Sequence, residues 1–301
     1  MKTKIILTAV MALAAVACSK TGHQQEVSEG LERITFAASD GDGLFQVTTK
    51  ASAVTSLSAF NVSAVTGTAG SEVEAWNSTE FSQVPESNPA VYAANKFWPS
   101  DNPSYRFYAS NLPLMFAAGG TTVAASNATD VVCAYLTDPT YEQQNTFTFK
   151  HIFARIGDVE VTATEGYTIS NLTITVTPQV SGSYNLCTGA GQTDGTGWSS
   201  PVAGDVTTIC ARTEGLAPSA SYTHTNDLWL IPGTYTLTAA WTATKDDYTQ
   251  SFTGKTATVN LVAGSVNSIS ASIVGNATQI TMGVSLTAWG ENNIEVGTIN
   301  I

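Results

Sequence analysis

Few residues of this chain are spaced for chemistry. The three histidines, His23, His151 and His224, stand apart in sequence. None sits in an H-x-x-H, H-E-x-x-H or C-x-x-C pattern, the spacings that bring two metal ligands together. No G-x-S-x-G turn offers a serine nucleophile, and no G-x-x-x-x-G-K-[ST] loop offers a phosphate cradle. Asp40-Gly41-Asp42-Gly43 could touch calcium, but it lacks the remaining ligands of an EF-hand loop and reads as a turn. Lys150, His151 and Arg155 form a cation-rich spot inside an apolar stretch. There His151 reads as a hydrogen-bonded residue at a strand end, and Arg155 as a partly buried cation in need of an acid or carbonyls. The six tryptophans are scattered, and core packing is their usual role. The chemistry expected is therefore non-catalytic, with no cofactor and no metal.

The elements that must carry these residues follow from composition. The chain has 301 residues, a net charge of −12, 12% charged residues and 43% apolar residues. That apolar content can build cores, and the length suits two β-domains. With no basic stripe to meet phosphates, nucleic acid is excluded as a partner.

The N-terminus reads as a processing signal. Lys2 and Lys4 precede an apolar run, Ile5–Ala17, too short to span a bilayer. It ends Ala15-Val16-Ala17-Cys18, small residues before a cysteine, as in a bacterial lipobox. Residues 1–17 are then a signal peptide and Cys18 the lipidated mature N-terminus; an ordinary secretory signal cut after Ala17 is the alternative. Of the remaining cysteines, Cys187 and Cys210 could cross-link, or Cys133, Cys187 and Cys210 could be three separate buried thiols.

Residues 19–33 are polar and read as a tether. Ile34–Ala37 is a short strand candidate, and strands are expected around Leu57–Ala64, Tyr105–Ala109, Val131–Leu136, Leu172–Val176, Leu228–Pro232, Tyr235–Trp241, Ala257–Leu261, Val266–Val274 and Ile280–Ala288. Residues 117–130 and most of 182–226 read as loop. Phe147–Val161 is apolar at both even and odd offsets, which predicts one central strand buried on both faces, the last seam of the first domain. The least hydrophobic junction after it is Ala163–Gly166. Many short strands with frequent turns predict an all-β fold of sandwiches.

Together these features resemble the fimbrillins, the pilins of Bacteroidales type V pili. The carriers are the lipobox cysteine, a short strand followed by a basic-residue–Ala step, a strand like Leu57–Val62, Lys150-His-Ile-Phe-Ala-Arg-Ile156 running into Val159-Glu-Val161, the Ile280–Trp289 strand, and a short tail. The resemblance implies two tandem transthyretin-like Greek-key β-sandwich domains, over 51–166 and 167–301, behind a tether and displaceable first strand within 18–50. It implies an outer-membrane lipoprotein precursor cut by a trypsin-like protease, then a cell-surface fimbrium. Carried onto this chain, the displaced strand is Ile34, Thr35, Phe36, Ala37 and Ala38, and the cut falls between Lys50 and Ala51. A cut after Arg33 is the alternative, and it would leave the strand in place. The donor candidate is 290–301, where Ile294 and Val296 alternate and Ile299 and Ile301 form an offset pair; the tail could instead complete its own sheet. Other pilin subunits, the outer membrane and a host or bacterial surface ligand are the partners implied. A monomeric surface lipoprotein binding glycans or host proteins through 182–226 is the second reading.

Overall fold

Period-two alternation builds the first half of the chain. Its strands are β1 (Arg33–Asp40), β2 (Ala59–Thr66), β3 (Val73–Gln83), β4 (Tyr92–Phe97), β5 (Arg106–Ser110), β6 (Leu114–Ala117), β7 (Gly120–Ser126), β8 (Val132–Leu136) and β9 (Asn145–His151). The computed structural model describes residues 32–40, 57–68, 71–87, 90–101, 104–117, 119–163, 166–273, 280–288 and 291–294. Seven of the strands close into a barrel in the order β1-β4-β3-β2-β5-β8-β9. Alternate residues fill it: Phe60 and Val62 from β2, Phe107 and Ala109 from β5, Phe147 and Phe149 from β9. Closure depends on β1, which runs antiparallel to β4 and parallel to β9.

The stretch 147–161 is not one strand. It breaks at Ile152–Phe153 into β9 and β10 (Ala154–Ala163). On β9 only one face is buried, with Thr148 and Lys150 turned outward. On β10, Ile156, Val159 and Val161 enter a second core. The apolar residues at both offsets belong to two strands, each burying one side in a different place. The cores therefore exchange at Ile152–Phe153, upstream of the 163–166 junction.

The second half continues with β11 (Thr168–Val176), β12 (Gln179–Asn185), α1 (Leu186–Gly189), β13 (Trp198–Ala203), β14 (Thr207–Arg212), β15 (Ser221–Leu230), β16 (Gly233–Lys245), β17 (Tyr248–Leu261), β18 (Ser265–Ile273), β19 (Ile280–Ala288) and β20 (Glu291–Ile294). Two sheets, β15-β10-β18-β19-β20 and β14-β11-β16-β17, enclose a core that includes Val159, Ile174, Leu237, Trp241 and Ile269. The single helical turn α1 starts where Asn185 Oδ1 accepts from the backbone N–H of Cys187 at 2.8 Å and of Thr188 at 3.3 Å.

Both stretches read as loop carry strands. A third sheet, β13-β12-β7-β6, joins a hairpin from each half of the chain, with Ser181 opposite Ser126 and Asn185 opposite Thr122. It covers the outer face of the barrel. Val65, Tyr108 and Cys133, which point away from the barrel interior, pack there with Leu114, Val123, Tyr184 and Ile231. The chain is all-β in several sheets, and one of those sheets is common to both halves.

Candidate functional site

The site with the most distinctive construction is the strand that closes the barrel. Along β1, Ile34 and Phe36 are fully buried while Arg33 is exposed. The Phe36 ring lies edge-on to Phe81 at 5.0 Å and to Phe107 at 5.1 Å, and tilted against Phe147 at 4.6 Å. Phe60 forms a second layer, 5.7 Å from Phe147. Edge-to-face pairs at these distances use the ring quadrupole as well as burial. On one side Phe36 stands opposite Tyr92 of β4, and on the other Phe36–Asp40 pair with Asn145–Phe149 of β9. The backbone N–H of Trp98 donates to Glu32 O at 2.8 Å, and Arg33 Nε donates to Ala94 O at 2.7 Å.

Physical chemistry states what withdrawing β1 would do. The barrel would open between β4 and β9, leaving ladder groups on both without partners. The aromatic pocket would face water. Burial of Ile34 and Phe36 stabilises by about 1.5–3 kcal/mol each. Restoring that needs another extended segment with apolar residues at alternate positions.

Of the other residues singled out by sequence, Cys18, Lys50, Ala51, Val296, Ile299 and Ile301 lie outside the described residues. Ile294 lies at the end of β20, which pairs antiparallel with β19: Leu286 is opposite Ile294 and Ala288 opposite Glu291. The described part of the tail thus lies on its own sheet.

In the cation-rich spot Lys150 is exposed, while His151 and Arg155 each meet an acid at the exchange between cores. His151 Nδ1 meets Asp130 Oδ1 at 2.7 Å, both side chains fully buried. Arg155 Nε lies 2.7 Å from Asp227 Oδ1, which also accepts from Trp229 Nε1 at 2.9 Å. Neither acid has a sequence signal linking it to its cation; only the fold brings them together. Cys133, Cys187 and Cys210 are free thiols, so no Cys187–Cys210 cross-link forms. Burial pushes the Cys133 thiol up to about 12 and that of Cys210 up to about 11. Among the described residues, no group of three His, Cys, Asp or Glu is arranged to hold a metal ion. No helix among them is long and apolar enough to cross a membrane.

A cavity of about 430 Å³ lies between the outer face of β8 and β9 and the segment 186–198, with Tyr135, Thr148, Lys150, Gln192, Thr193 and Trp198 in its lining. Its wall is fixed by backbone hydrogen bonds, Ala263 N–H to Thr193 O at 2.9 Å and Gly264 N–H to Phe153 O at 3.1 Å.

No curated protein matches the chain. A fimbrial protein from Bacteroides vulgatus has a similar structure, with a TM-score of 0.55 at 13% identity, covering 86% of this chain and 99% of that one. A candidate cell adhesion protein from Parabacteroides distasonis has a TM-score of 0.51 at 10% identity, covering 87% of this chain and 98% of that one. At such identities these likenesses show the fold. The fimbrillin-like family model matches residues 33–289, from the first residue of β1 to just past β19. The chain therefore belongs to the fimbrillin-like family, whose members are structural rather than catalytic proteins.

Proposed function

We propose that this protein is a structural subunit of a surface pilus, assembled by replacing β1 with a strand from another subunit. The observation that supports it most is that one short N-terminal strand closes the barrel and carries two fully buried side chains, Ile34 and Phe36, into its core. Lys50–Ala51 falls between β1 and β2 in sequence, so a cut there separates Ile34–Ala38 from the rest of the barrel. Lipid on Cys18 holds the precursor at the outer membrane until that cut. The tail 290–301 then serves as the strand given to a neighbour. The test is the mature N-terminus of the chain within pili sheared from cells. Ala51 is the expected first residue; polymerised chains that retain Ile34–Ala38 would sink the proposal.

The cavity favours a second reading, a surface protein that holds a saccharide or a host-protein segment against Tyr135 and Trp198. Glycan binding by the uncut monomer, lost on Tyr135→Ala and Lys150→Ala, would support it.

A further inference from the structure

The pocket around Phe36 specifies what can replace β1. Its walls are the rings of Phe81, Phe107 and Phe147, with centroids 4.6 to 5.1 Å from that of Phe36. Ile34 fills the inward position before it, and Ala38, at the inward position after it, packs against the same core. Read inward, β1 is aliphatic, aromatic, small. The aromatic is central, so the requirement holds whichever way a replacing strand runs.

This chain's own tail does not meet it. Gly290-Glu-Asn-Asn-Ile-Glu-Val-Gly-Thr-Ile-Asn-Ile301 contains no aromatic residue. If Ile294 takes the place of Ile34, Val296 falls in the Phe36 pocket. If Ile299 takes it, Ile301 does. Either way a β-branched aliphatic stands where three rings surround a phenyl, leaving a void whose cost rises with its volume. Ile294 also has a place already, opposite Leu286 at the edge of the sandwich.

We infer that the groove left by β1 accepts a strand from a different subunit. That strand carries an aromatic two residues from an aliphatic and two from a small residue, and this chain's own tail serves a neighbour with another groove. The inference rests on the strand-replacement reading above and makes the chain a component of mixed fibres.

The test uses the full chain with a specific protease site placed between residues 41 and 56, folded first and then cut, so that β1 stays in place as a separable peptide. Fluorescent peptides compete for its position: β1 itself, the 290–301 tail, that tail with Val296→Phe, and β1 with Phe36→Val. The β1 and Val296→Phe peptides are expected to enter, and the other two to bind roughly tenfold or more weakly because of the void they leave. If cutting unfolds the chain, refolding it with each peptide and following native tryptophan emission gives the same ranking. A natural tail that enters as well as β1 overturns the inference and leaves strand replacement standing. Failure of every peptide, labelled β1 included, overturns strand replacement and the inference with it.

Discussion

Phe36 packs against three rings of the barrel core, and in the strand-replacement reading proposed above it is the side chain that a replacing strand must imitate. Phe36→Ala in the uncut chain is expected to cost about 3–5 kcal/mol in urea denaturation, the range for emptying a buried aromatic site. Arg33→Ala, at an exposed position with one hydrogen bond, is expected to cost about 1 kcal/mol. Equal losses would mean that the ring cluster does not hold β1. The buried thiols give a pH dependence whose sign can be worked out. Burial raises the Cys133 thiol to about 12, against a hydrogen bond with Ser110 that lowers it. The unfolded chain loses that proton near 8.5, at about the free-thiol value, while the folded chain keeps it. This contribution is fully present below that pH and is lost as pH rises toward the folded value, at up to about 1.4 kcal/mol per pH unit. Cys210 acts in the same direction. Urea midpoints should therefore fall between pH 8 and pH 10.5, and fall less for Cys133→Ala; equal slopes would remove the thiol from the explanation.

At the scale of elements, the two terminal strands behave differently. β1 is inserted between two neighbours, whereas β20 is added to one edge. Deleting residues 290–301 is expected to leave a folded monomer, because β19 keeps its pairing with β18 from Ile273–Ile280 to Ser265–Ala288. In cells the same deletion should remove the chain's contribution to denaturant-resistant ladders; unchanged ladders would show that the tail only completes its own sheet. The strands legible in the sequence, such as β11, β16 and β18, alternate apolar side chains with polar ones. Among those that escaped, β3, β6, β7, β12 and β13 bury little or bury small residues: Thr121, Val123 and Ala125 line the inner side of β7. The place of β6, β7, β12 and β13 is set by pairing across the third sheet, which no local pattern records. β1 was visible because Ile34 and Phe36 alternate. The partners of His151 and Arg155 were not, since Asp130 and Asp227 reach them only through the fold.

At the scale of the whole molecule, the third sheet decides whether the halves act as one body. Besides the β7–β12 ladder, Asn127 Nδ2 donates to Trp229 O at 2.8 Å, and its backbone N–H donates to Val180 O at 2.8 Å. Phe153, fully buried where the cores exchange, packs against Trp198 at 5.1 Å. In the pilus reading proposed above, such a junction would pass load to the sandwich without bending a linker. The wild-type chain is accordingly expected to unfold in one calorimetric transition, with calorimetric and van't Hoff enthalpies equal. Phe153→Ala removes about 3–5 kcal/mol from the junction while leaving the interior of the barrel and of the sandwich intact. Hydrogen exchange should then report separate opening free energies for β2–β5 and for β16–β18, where the wild type shows one. Two transitions already present in the wild type would make the third sheet a contact between independent domains, and the load path would have to run elsewhere.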